Sequence, residues 1–194
     1  MSDDGLFRSF SEIVQRVGDD RLRVYLYHIP PVSQVPITLG LIERLLRTYP
    51  KTIAGVKDSS GDWKNTKALI DNFASQGFDV FAGSEVFLLR TLRAGGAGCI
   101  TAGANVNPHG INQVYQAWPS AAAELWQAFA DRIRTILQVQ TSMIPALKAI
   151  IAHFTADPAW TTVRPPFVEV TVEQSTKVVR ELTAAGFDMP GLSG

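Results

Sequence analysis

Four short β-prone runs constrain this chain more than any other feature. They are Val24-Tyr25-Leu26-Tyr27-His28-Ile29, Thr52-Ile53-Ala54-Gly55-Val56-Lys57, Phe78-Asp79-Val80-Phe81-Ala82 and the run from Cys99 to Ala102. Their starts, near residues 24, 52, 78 and 98, lie about 28, 26 and 20 residues apart, which is the rhythm of successive βα units with parallel strands. The runs are apolar on both faces rather than alternating, as strands covered on both sides should be. Helical spacing fills the gaps. Leu6, Phe7, Phe10 and Ile13 mark an amphipathic helix over 5–17. Thr38 can cap a helix running to about Tyr49, Asp62 can cap one through Phe73, and a third runs from Glu85 to Ala94. Pro30-Pro31 should stop both strand and helix. After residue 103 the pattern turns helical, at about 109–117, 119–138, 142–154 and 172–186, with Arg164-Pro165-Pro166 in a loop. The expected fold class is α/β, with βα units over 1–108 and a C-terminal helical segment of the same domain over 109–194.

Composition narrows the function. Eighteen Lys and Arg balance eighteen Asp and Glu, with no basic stripe, so binding to nucleic acid is not expected. No apolar stretch approaches the ~18 residues of a membrane span. The N-terminus, Met1-Ser2-Asp3-Asp4-Gly5, lacks the basic start and apolar middle of a signal peptide, so a cytoplasmic protein is expected. Cys99, the only cysteine, allows no intrachain disulfide and reads as a buried, inert thiol. His28, His109 and His153 are scattered without metal-ligand spacing, so neither a metal nor a cofactor is assigned.

The chemistry centres on Lys57. It ends the second run, and in α/β folds, barrels especially, the carboxyl ends of the strands face the active site. A desolvated lysine loses part of its preference for charge, and a neutral amine can attack a ketone to form a Schiff base. The competing reading is a stem that leaves the strand and reaches water or pairs with Asp58. Tyr27 ends the preceding run in the same way, so neighbouring strands would set a phenol beside the amine as a proton shuttle; a core aromatic is the alternative. Ser59 and Ser60 follow the lysine, and Gly83, Ser84 and Glu85 follow the third run. They stand where a ligand would lie, although turns and helix caps use the same residue types. The run Ala94-Gly95-Gly96-Ala97-Gly98 lies between helix and strand, which suits a tight turn better than a dinucleotide site.

Together, Tyr27-His28-Ile29-Pro30, Gly55-Val56-Lys57-Asp58-Ser59-Ser60-Gly61-Asp62, Gly83-Ser84-Glu85, Gly95 to Asn105 and Val163-Arg164-Pro165-Pro166 resemble the dihydrodipicolinate synthase/N-acetylneuraminate lyase family. The resemblance implies a (β/α)8 TIM barrel and a lysine Schiff base with pyruvate or with a keto acid cleaved to pyruvate. It also implies a homo-oligomer, a tetramer in the family. Lys57 matches the Schiff-base lysine and Tyr27 the catalytic tyrosine. Gly83 and Ile100 match positions lining the pyruvate end of the pocket. Ser59, Ser84 and Glu85 match positions that contact the sugar chain in the lyases.

Two departures shape the expectation. The synthases place an arginine two residues after the proline of Tyr-x-x-Pro, and here that position is Val32. The block is closer to the sialic-acid lyases and keto-deoxy-sugar-acid aldolases, although Glu85 stands where the former carry aspartate. The family's N-terminal part, including its Gly-Thr-Thr-Gly-Glu loop, has no counterpart here. A complete barrel takes about 250 residues, with roughly 200 as a lower limit, so the expectation is a partial barrel of about strands five to eight. The leading function is a class I aldolase or lyase acting on pyruvate or a 2-keto-3-deoxy sugar acid, truncated and inactive or weak by itself. A 2-keto-3-deoxy sugar acid dehydratase and dihydrodipicolinate synthase are the alternatives among enzymes. A non-catalytic half-barrel or interaction module is the alternative outside them.

Overall fold

In the computed structural model, which describes residues 1–140 and 142–189, the four runs pair as one parallel sheet in the order β1-β2-β3-β4. The strands are β1 (Val24–His28), β2 (Ile53–Asp58), β3 (Asp79–Ala82) and β4 (Gly98–Cys99). Parallel neighbours need helical crossovers, and the intervening sequence supplies them. These are α2 (Pro30–Ser33) and α3 (Leu39–Thr48) after β1, α4 (Trp63–Phe73) after β2, and α5 (Leu88–Arg93) after β3; α1 (Asp3–Val17) precedes the sheet. The Thr38 hydroxyl accepts from Leu41 N–H and the Asp62 carboxylate from Lys64 N–H, so both expected caps form.

Three local expectations change. Pro30-Pro31 end the strand but open the short helix α2, because proline is pre-set for the first helical position, where its missing N–H has no partner to lose. The helix after β3 begins as a 3-10 turn over Glu85–Phe87 before α5. The fourth strand is only two residues long, though Ile100 N–H extends its ladder by donating to the Ala82 carbonyl at 2.9 Å.

The apolar character of both strand faces does not translate into burial of both. Leu26, His28, Val56, Asp58, Val80 and Ala82 are buried on one face, where Leu26, Val56 and Val80 share a core with Leu41, Ile42 and Leu45 of α3 and Leu69, Ile70 and Phe73 of α4. Fully burying each such aliphatic side chain is worth about 1.5–3 kcal/mol. On the opposite face Tyr25 and Tyr27 stay 47% and 50% exposed, and Lys57 and Phe81 are half-buried. Among the described residues of this unit, helices cover one face of the sheet only.

The chain divides into two compact units, Met1–Ile100 and the remainder from Thr101. The second contains α6 (Pro108–Ala117), α7 (Ala122–Gln138), α8 (Met143–Thr155) and α9 (Val172–Ala184). Its core gathers Val106, Ile133, Leu137, Ile150, Val178 and Leu182. A reciprocal capping box between Thr171 and Gln174 starts α9.

Candidate active site

Register brings the two expected reactive groups together. Tyr27 lies opposite Lys57, and Lys57 opposite Phe81, near the carboxyl ends of their strands. Residues at equivalent positions of a pleated sheet share a face, and the Lys57 Nζ sits over the Tyr27 ring, 4.5 Å from its centroid. That is within range of a cation–π contact. The reading in which Lys57 pairs with Asp58 fails, because adjacent strand residues point to opposite faces. Asp58 is 2% exposed, and its carboxylate accepts from Ser60 N–H at 3.0 Å and Thr66 Oγ1 at 2.6 Å.

Below this pair the same face is floored by Tyr25. Its hydroxyl donates to Asp79 Oδ2 at 2.6 Å, spanning from β1 to β3, and its ring packs against Phe81 with centroids 5.9 Å apart. The span crosses Gly55, where an added Cβ would fall 2.6 Å from Tyr25 Cε1 and closer still to the Asp79 carbonyl oxygen. The hydrogen bond to Asp79, then burial, then the nearby negative charge hold the Tyr25 phenol above its ordinary ionisation range.

The remaining expected residues surround the strand ends. Ser59 N–H donates to the His28 carbonyl and Gly83 N–H to the Asp58 carbonyl, each at 2.7 Å. Gly83 lies against Ser59, so a Cβ there would meet the Ser59 hydroxyl and stand 2.8 Å from both the Asp58 oxygen and Ser59 Cα. Ser84 has a buried hydroxyl without a hydrogen-bond partner. Ile100 is 45% exposed. Glu85 is closed off at 2% exposure. Burial, with the Glu85 carboxylate as a second cause, pushes the Cys99 thiol up to about 12, so it stays protonated near neutrality.

Several polar residues around the site escaped the sequence reading: Tyr25 with Asp79, and His28 and Thr66 beside Asp58. The available signal was the strand's period of two, which sets His28 and Asp58 back to back with Tyr27 and Lys57. Among the described residues no three His, Cys, Asp or Glu side chains are grouped to hold a metal ion, and no single helix is long and apolar enough to cross a membrane.

The model of the dihydrodipicolinate synthetase family matches residues 1–185. A DapA-like lyase of Chloroflexus aurantiacus is 36% identical over 157 residues, covering 78% of this chain and 50% of the relative. The crystal structure of dihydrodipicolinate synthase from Agrobacterium tumefaciens superposes with a TM-score of 0.81 at 30% identity, covering 95% of this chain and 61% of that one. YagE from Escherichia coli K12, a member of the same family crystallised with pyruvate, gives a TM-score of 0.86 at 24% identity over 97% of this chain and 63% of its own. The chain thus spans about half to three-fifths of the length of these relatives.

Proposed function

Because the chain belongs to the dihydrodipicolinate synthetase family, we propose that it carries the lysine side of a Schiff-base aldolase or lyase site for a 2-keto-3-deoxy sugar acid. The observation that carries this reading is the amine of Lys57 held over the Tyr27 ring at the carboxyl ends of β1 and β2. The neutral Lys57 amine attacks the C2 ketone, and the Tyr27 phenol gives its proton to the departing C2 hydroxyl, so that water leaves and a protonated imine stands beside a Tyr27 phenolate. The Tyr27 phenolate oxygen takes the proton of the C4 hydroxyl as the C3–C4 bond breaks. The bonding electrons move into the imine, leaving an aldehyde and an enamine. Protonation at C3 and hydrolysis then release pyruvate and regenerate the amine. A dehydratase would use the same imine, with proton loss at C3 and departure of a hydroxyl group in place of carbon–carbon cleavage.

Ser59, Gly83, Ser84 and Ile100 form the rim in this reading. Glu85, closed off beside Cys99, fits a wall position better than a contact with the sugar chain. The synthase reaction is disfavoured by Val32, an apolar side chain 76% exposed, which offers a carboxylate no charged donor.

We also read β1–β4 as consecutive strands of an eight-stranded barrel, with 1–108 its βα units and 109–194 a helical segment of the same domain. The half-exposed face bearing Tyr25, Tyr27 and Lys57 is then the barrel interior, and β1 and β4 each offer an edge for further strands. The test is turnover. Incubation with 2-keto-3-deoxy sugar acids should release pyruvate and an aldehyde weakly or not at all from the chain alone, and readily once the first half of a homologous barrel is added. Tyr27→Phe should cut cleavage by about 10²–10⁴-fold, the usual loss for a proton-transfer group, and Lys57→Ala should abolish it. Equal turnover by Lys57→Ala would overturn the proposal.

A further inference from the structure

The last rung of the sheet differs from those before it. On the helix-covered face, Leu26, Val56 and Val80 make an apolar rung, but the next residues on that face are His28 and Asp58, paired in register and 6% and 2% exposed. They directly follow Tyr27 and Lys57, so the buried polar pair backs the exposed reactive pair strand for strand. A sheet needing only stability would continue with apolar side chains, since a buried polar group is costly unless every partner is present.

Here the partners converge from several segments. His28 Nδ1 accepts the Ile37 N–H at 3.0 Å, in the segment leading into α3. An acceptor at Nδ1 places the ring proton on Nε2, and that nitrogen stands 4.0 Å from Asp58 Oδ1. Asp58 takes Ser60 N–H on Oδ1 and the Thr66 hydroxyl on Oδ2, from the following turn and from α4. Thr66 is fully buried. The main chain of the same two residues accepts Ser59 N–H and Gly83 N–H. The rung is therefore pinned to β1, β2, β3, the α3 entrance and α4 at once.

We propose that His28 and Asp58 are positioning residues, a buried polar rung that fixes the Tyr27 ring against the Lys57 amine. They act through Tyr27 and Lys57 and touch no substrate. Part of the test rests on the function proposed above and part does not. The independent readout is the proton shift of the Lys57 ε-methylene, moved upfield by the Tyr27 ring beneath it. The dependent readout is the rate of borohydride trapping of pyruvate at Lys57.

In His28→Leu, which cannot accept the Ile37 N–H, the ring-induced shift should collapse. Trapping should slow by about tenfold or more at temperatures where the variant is folded by circular dichroism, because ångström-scale misplacement has costs of that order. His28→Asn, whose Oδ1 can accept the same N–H, should recover most of both. Should His28→Leu fail to fold, Thr66→Val removes the hydroxyl donor with little change of shape and should show the same effects more weakly. A folded His28→Leu or Thr66→Val with unchanged shift and unchanged trapping would overturn the proposal, leaving a stability role alone. Wild-type protein that resists trapping, yet loses the ring-induced shift in His28→Leu, would sink the catalytic reading and uphold this one.

Discussion

Gly83→Ala gives the sharpest test of how the strand ends are packed. Gly83 does not have a positive φ, so alanine can adopt its backbone conformation and the cost is steric. The new methyl would stand 2.8 Å from the Asp58 carbonyl oxygen and 2.8 Å from Ser59 Cα. Both are backbone atoms that cannot rotate away. The Ser59 hydroxyl, also in the way, can. Forcing a methyl into packed backbone costs about 1–3 kcal/mol. Lengthening the 2.7 Å bond from Gly83 N–H to Asp58 O adds up to about 1 kcal/mol. Reduced freedom of the unfolded chain returns about 0.4–1 kcal/mol. With each contribution at the middle of its range the net loss is about 2 kcal/mol, which for a chain of this size lowers the melting temperature by roughly 4–8 °C. Gly40→Ala is the control. It lies within α3, its Cβ would meet only Thr38 Oγ1 at 3.9 Å, and alanine should stabilise the helix by about 0.5–1 kcal/mol. Thermal melts followed by circular dichroism read both signs. Gly83→Ala melting within about a degree of wild type, or Gly40→Ala falling as far, would refute the packing argument.

Further outcomes follow from the same geometry. Cys99, held near 12 against an ordinary 9, should alkylate with iodoacetamide at pH 8 roughly a thousandfold more slowly than an open thiol, in line with its thiolate fraction; unfolding should restore the rate. Tyr25, with its ionisation raised by Asp79, favours the folded state below the ordinary phenol range, and that contribution is lost as pH rises through the folded value. Ultraviolet titration should therefore show one late-ionising tyrosine that disappears in Tyr25→Phe. Co-expression with the first half of a homologous barrel should yield a complex that protects the backbone amides of β1 and β4 from hydrogen exchange. Unchanged protection at those edges would contradict the barrel reading.

Much of this was legible in the sequence because it rests on local rules. The βα rhythm gave the order of strands and helices, and the caps at Thr38 and Asp62 set where α3 and α4 begin. The Tyr27–Lys57 pairing was legible because both residues stand near the ends of consecutive parallel runs. What escaped depends on three-dimensional satisfaction of polar groups. Nothing in the local sequence says that Tyr25 reaches over Gly55 to Asp79, or that His28 receives the Ile37 N–H. Burial of the strands was misjudged because apolar composition reports what a face can cover, not whether it is covered. Tyr25 and Tyr27 show the difference.

The central claim is that Lys57 is the residue that forms the imine. The chain has six lysines, so selectivity among them is the direct measure. Borohydride reduction in the presence of pyruvate, followed by peptide mass spectrometry, should place reduced pyruvate on the Lys57 peptide at least about tenfold above any other lysine, reflecting an amine positioned over the Tyr27 ring near the strand ends. In Lys57→Ala no other lysine should take its place. Labelling spread evenly over the six, or concentrated on a lysine other than Lys57, would contradict the account.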